Sequence, residues 1–265
     1  MTANPLRVPP SGMPTPGGPV ACPAAWYRAD LERSEGWIHA LTPPELDEIE
    51  AALHFSKRRS QKLLDIGTDS FPLPTVRRKL HAIRDEVMRG RGIALLRGIP
   101  VGRYPREDLA RIYLGLGRHL GTLRSQIAAG HVLGHVCDIG HDHHKNADQR
   151  GYAAAGPMGF HTDSVDIVAL MCLQPAKTGG DTKVVSSVTV HNEIWKRRPD
   201  LAPLMFEPVF RDRRGEIGRT NAASRHQRPD WRPRRPGVGN HPRQRRMLAA
   251  AQALESALGR GCPDR

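Results

Sequence analysis

A histidine and a carboxylate two residues apart, His161 and Asp163, stand in the run "GFHTDSVDIVALMCLQPAKTGGDTKVVSS" (residues 159–187). Both residue types bind divalent cations, the neutral imidazole through a nitrogen lone pair and the carboxylate through its oxygens. On an extended chain successive side chains alternate between faces, so His161 and Asp163 share one side and Thr162 takes the other. One imidazole and one carboxylate on a common face supply two corners of a facial triad. That arrangement holds non-haem Fe(II) and leaves positions open for a cosubstrate and oxygen. An ordinary loop histidine beside an acid is the competing reading of the bare pair. Downstream, "GGDT" (179–182) joins two glycines, which let the backbone approach a ligand closely, to the Thr182 hydroxyl, which can bond a carboxylate. A plain hairpin turn is the alternative there.

These residues need elements to hold them. "DIVALMCLQ" (166–174) is a nearly continuous apolar run and reads as a buried strand over 165–173, placing the His-x-Asp pair at its mouth. "GGDTKVVSSVTVHNEIWKRRPDLAPLM" reads as turn, strand, then helix, with Asn192 or Thr189 as candidate cap and His191 as a structural residue. Upstream, "LTPPELDEIEAALHFS" predicts a helix with Thr42 as N-cap, prolines in the first turn and Leu46, Ile49 and Leu53 at helical spacing. "SFPLPTVRRKLHAIRDEVMRG" predicts another, with Val76, Leu80, Ile83 and Val87 on one face and Gly90 near its end. "GIALLRGI" predicts a short buried strand, and "REDLARIYLGLGRHLG" a third helix.

The run "FHTDSVDIVALMCLQPAKTGGDTKVVSS" resembles the taurine catabolism dioxygenase (TauD/TfdA) family of Fe(II)- and 2-oxoglutarate-dependent oxygenases. "GIALLRGIPVGRYPREDLARIYLGLGRHLGTLRSQ", "GHVCDIGHD" and "QRGY" are similar to the same family, so the resemblance runs from about Trp37 to about Glu216. It implies an α+β fold, a double-stranded β-helix (jelly roll) with flanking helices. It also implies His161 and Asp163 as iron ligands and catalytic centre, Thr182 as a contact to the cosubstrate 2-oxoglutarate, and hydroxylation of a small organic molecule. The family completes its iron site with a distal histidine and binds the far carboxylate of 2-oxoglutarate with an arginine beyond it, a task suited to a bidentate guanidinium.

The last part of the chain reads differently. Residues 219–265 carry 11 Lys+Arg against 3 Asp+Glu, whereas residues 1–218 carry 29 against 24. The net charge of +13 therefore sits largely in an Arg/Pro-rich tail that shows no strand pattern. His226 and His241 are the histidines available there as a third ligand, and both read as parts of a basic, unstructured run. The expectation is a jelly roll incomplete at its C-terminus, with a truncated or frame-shifted end. The corresponding divisions are a flexible Pro/Gly-rich arm over 1–24, an oxygenase domain over 25–218 and a disordered basic tail over 219–265. Two iron ligands in place of three imply weak metal binding and little turnover. Three functions stay open on this reading: the dioxygenase, a non-catalytic remnant of the same ancestry, and a polyanion-binding protein acting through the tail.

Other features exclude more than they suggest. The tail has one aromatic, Trp231, and no recognisable nucleic-acid motif, so a nucleic-acid partner is not expected. The cysteines Cys22, Cys137, Cys172 and Cys262 form no CxxC pair, which fits a reducing cytoplasm rather than a disulfide framework or zinc module. The N-terminal run lacks the charged start and apolar core of a secretory signal, and no membrane span is expected. "GHDHHKN" (140–146) reads as a solvated loop, because adjacent residues cannot readily all face one ion. Asp166, on the other face, reads as a buried carboxylate or as one supporting the pair and not as a ligand, and Gln126 and Asn146 as possible pocket-lining residues.

Overall fold

The computed structural model describes residues 17–59, 62–125, 131–137, 159–163, 165–178 and 180–206, together with the backbone of 208–210 and 227–229. Three helices form its centre: α2 (Pro43–Arg58), α3 (Val76–Arg89) and α4 (Arg106–Leu120), preceded by a short α1 (Arg28–Glu32). Each follows its sequence pattern. Thr42 caps α2 in a capping box with Glu45, and prolines fill the first helical positions, where a missing N–H costs nothing. The buried residues of α3 are Val76, Leu80, Ile83 and Val87, and Gly90 is its C-cap. Their spacing puts one apolar stripe against α2 and α4. Leu53, Ile66, Phe71, Val76, Leu80 and Ile112 are each at most 1% exposed in this core. Burial of one such side chain stabilises by about 1.5–3 kcal/mol.

Polar side chains fix the helices to one another. Glu48 of α2 accepts from the backbone N–H groups of Thr75 (2.9 Å) and Val76 (2.8 Å), so α2 supplies the cap for the first turn of α3. Lys79 of α3 donates to the Ala40 carbonyl (2.6 Å) and bridges to Glu45. Lys57 of α2 pairs with Asp108 of α4 at 2.9 Å. Arg118 of α4 donates to the carbonyls of Ile66 and Leu64 at 2.6 and 2.8 Å, pinning the short 3-10 turn Leu63–Asp65.

The strands make two small sheets among the described residues. β1 (Ile38–Ala40) pairs in parallel with β2 (Leu95–Arg97), in the register Ile38↔Leu95, with α2 and α3 forming the crossover. β2 is the strand expected in "GIALLRGI", while three-residue β1 carries too few positions to show a period. β3 (Pro208–Phe210) pairs antiparallel with β4 (Gln227–Pro229). β4 corrects the expectation of a tail without strands: backbone pairing there depends on its partner β3 and needs no apolar alternation. The rest of the tail lies outside the described residues. The architecture is thus mixed helices with small sheets.

Two more expectations are corrected. Residues 165–173 join no sheet, and no strand lies between "GGDT" and the next helix. Helix α5 (Ser187–Arg197) is capped by Ser186, whose side chain accepts from Thr189 N–H at 3.0 Å, rather than by Thr189 or Asn192. A Ser at that position offers its oxygen to an otherwise orphan donor.

The N-terminal segment is clasped to α5. Asn192 accepts from Val20 N–H (2.7 Å) and donates to Val20 C=O (2.9 Å). Ser186 donates to Ala24 C=O, and Thr189 to Trp26 C=O at 2.7 Å. Trp26 in turn donates to the Arg91 carbonyl at 2.9 Å. Ala24, Val188 and Phe206 form a second buried cluster, with Val20, Cys22, Ala25 and Met205 packed on it. The flexible arm expected to run to residue 24 is therefore already packed at Val20. The signal was hidden because its partners lie more than 160 residues away.

Candidate metal centre

His161 and Asp163 lie on an irregular stretch of chain between Gly159 and Asp163. His161 is half-buried, and its Nδ1 is 3.0 Å from the Gly159 carbonyl. A carbonyl oxygen only accepts, so in this bond Nδ1 carries the proton and Nε2 keeps its lone pair. Such an arrangement fixes the tautomer and ring orientation of a metal-binding histidine. Asp163 is exposed, and its carboxylate is an acceptor of the charge and hardness that a divalent cation takes. Thr182 is also exposed, on the irregular run that leads into α5. Asp166 is exposed too, which corrects the reading of it as a buried carboxylate.

One glycine before Thr182 has the conformation the sequence suggests. Gly180 has φ 73°, a left-handed conformation in which a Cβ would meet the backbone. Gly98, φ 113°, makes the corresponding reversal after β2.

The segment that follows the His-x-Asp pair is held from below by the helical layer. Ile167 and Met171 pack against the main core, while Ala169, Leu170 and Leu173 face outward. Tyr113, on α4, donates its hydroxyl to the Ala169 carbonyl. Burial pushes the Tyr113 phenol up to about 12, so it remains a donor at any physiological pH. Nothing in the sequence pointed to Tyr113. It sits beside Ile112 on α4, and its role depends on which loop the helix meets.

Among the described residues no three His, Cys, Asp or Glu side chains gather into a metal-binding group. His226, His241, the 140–146 cluster, Gln126 and Asn146 all lie outside the described residues. An open groove of about 590 Å³ runs along α5, lined by Val185, Val190, Ile194, Leu201, Leu204 and Met205 among others. It includes none of His161, Asp163 and Thr182. No described helix is long and apolar enough to cross a membrane.

The family model described as Taurine catabolism dioxygenase TauD, TfdA family matches residues 57–264. The chain belongs to the TauD/TfdA family. The matched span of this TauD/TfdA chain holds His161, Asp163 and Thr182 and continues through the basic tail, beyond Glu216, where the residue-level resemblance ended. The chain is similar to FR-33289 synthase of Streptomyces rubellomurinus, at 29% identity over 198 residues covering 75% of this chain and 58% of that protein. It is also similar to taurine hydroxylase-like protein SAT17 of Stachybotrys chartarum, at 28% identity over 189 residues covering 69% and 49%. The match thus spans about half the length of these curated relatives.

By residue type the pair offers donors of the kind a divalent cation takes. It comprises one imidazole with its far nitrogen already committed to a carbonyl, and one solvent-facing carboxylate two residues on.

Proposed function

We propose that the protein is an Fe(II)- and 2-oxoglutarate-dependent dioxygenase that hydroxylates a small organic substrate. Membership of a family of dioxygenases supports the class. The observation that carries the residue assignment is the Nδ1–H bond from His161 to Gly159, which leaves Nε2 as the donor atom. His161 Nε2 and the Asp163 carboxylate hold the metal. Thr182 donates its hydroxyl to a carboxylate of 2-oxoglutarate, and the left-handed Gly180 lets the turn come close to it. Bound there, Fe(II) supplies the oxidising chemistry by which 2-oxoglutarate is decarboxylated to succinate and a C–H bond is hydroxylated.

The jelly roll with flanking helices, an oxygenase domain over 25–218 and the basic tail over 219–265 belong to the same proposal. The names of the two relatives, a hydroxylase-like protein and a synthase, favour a small-molecule substrate. The cytoplasm remains the proposed compartment.

Iron content and succinate production from 2-oxoglutarate, measured on the purified 265-residue chain and on His161→Ala and Asp163→Ala, test the proposal. Bound iron and succinate that both disappear in the two variants support it. Absence of iron and succinate from the unsubstituted chain overturns it in favour of the non-catalytic remnant.

A further inference from the structure

We infer that Tyr113 is a positioning residue for the candidate iron site, its hydroxyl holding the chain that leaves the His161–Asp163 pair against helix α4. The inference rests on the dioxygenase reading of that pair.

The run after Asp163 joins no sheet among the described residues, so no ladder of backbone bonds sets its register. What locates it is α4. The Tyr113 hydroxyl donates to the Ala169 carbonyl, and Ile167 and Met171 pack on the core that Ile112 and Leu116 of the same helix help to form. The apolar contacts on either side of Ala169 restrain distance from the core but permit sliding, because dispersion is non-directional. A hydrogen bond from a phenol hydroxyl is directional and fixes which carbonyl faces the helix. A shift at Ala169 would change where the chain leaving Asp163 meets the helical layer, and with it the placement of His161 and Asp163 upstream. The tether is therefore an element of ligand orientation, although Tyr113 need touch neither metal nor cosubstrate.

The test compares Tyr113→Phe, which keeps the ring and deletes the hydroxyl, with Thr189→Val. The latter deletes the Thr189–Trp26 bond of the N-terminal clasp, away from the His-x-Asp run. Anaerobic Fe(II) titration gives the dissociation constant of each folded protein, and thermal unfolding gives its midpoint. Tyr113→Phe should weaken Fe(II) binding by up to about tenfold, no more than the low end for losing a group bonded directly to a ligand, with a midpoint no lower than that of Thr189→Val. Thr189→Val should lower the midpoint and leave the iron affinity unchanged. Equal iron affinity in Tyr113→Phe and the unsubstituted chain overturns the positioning role alone. Equal weakening in both variants also overturns it, since general loosening then accounts for the effect. An unsubstituted chain that takes up no Fe(II) overturns the dioxygenase reading and the positioning role with it.

Discussion

Two glycines of α4, two residues apart, should respond to alanine in opposite directions. A Cβ on Gly115 would stand 2.5 and 2.7 Å from Cδ1 and Cδ2 of Phe71, and closer still to Cγ. Phe71 is fully buried, so its ring cannot swing into solvent. Overpacking of this kind costs about 1–3 kcal/mol, and a contact that displaces a whole ring belongs at the upper end. Replacing glycine by alanine within a helix returns about 1 kcal/mol. Gly115→Ala should therefore destabilise by about 2 kcal/mol, or lower Tm by about 4–8 °C for a domain of this size. On Gly117 the nearest atom to a Cβ is Leu123 Cδ2 at 3.4 Å, the end of a flexible side chain. The helix-propensity gain survives there, and Gly117→Ala should stabilise by up to about 1 kcal/mol. Urea unfolding of both variants with a common m-value measures the pair. Adding Phe71→Leu to Gly115→Ala should cost less than the sum of the two single changes, because the smaller side chain vacates the contested volume. If both glycine variants move stability in the same direction, the packing account of Gly115 is wrong.

Loss of the Glu48 carboxylate in Glu48→Ala strips the cap from two N–H groups of α3 and should cost about 1–2 kcal/mol by the same unfolding assay. Burial holds the His191 imidazole below its ordinary value, against a smaller upward pull from Asn192. The unfolded chain thus binds a proton at higher pH than the native one. His191 leaves stability intact above about pH 6.5 and withdraws it as pH falls toward the lowered native value. His191→Leu should flatten that part of the stability profile, measured by unfolding between pH 7 and pH 5. Thr182→Val should weaken 2-oxoglutarate binding with unchanged folding, measured by cosubstrate titration. An unchanged affinity would make "GGDT" a turn and nothing more.

The helices were readable because each carries its own evidence. The Val76, Leu80, Ile83, Val87 stripe and the Thr42–Glu45 box are local and need no knowledge of the partner. The apolar run 165–173 misled for the opposite reason. Its composition suits a buried strand, but a strand exists only when another chain segment pairs with it. Only alternate contacts such as Ile167 and Met171 turn inward, while Leu170 and Leu173 stay 36% and 38% exposed. At the candidate site, spacing suggested a His-x-Asp pair at 161 and 163 against the competing reading of a plain loop, and the roles of that pair and of Thr182 came from the family resemblance. The Tyr113 tether required a neighbour 56 residues away, and the His161–Gly159 contact a local backbone conformation, and no periodicity encodes either.

The clasp between Val20–Trp26 and Ser186–Asn192 also sets a timetable for the ribosome. Its bonds join residues 162 to 172 positions apart. At about 5–20 residues per second of synthesis, Trp26 emerges roughly 10–30 s before Thr189 exists to bind its carbonyl. The α2–α4 core can close within that interval, since its fully buried residues run from Leu41 to Leu116, with Ile167 and Met171 packing on it later. The bonds of Val20, of Ala24 and of the Trp26 carbonyl cannot, so nascent chains halted short of Ser186 should display an accessible Val20–Ala24 segment beside an already protected helical core, with Trp26 held by its Arg91 bond.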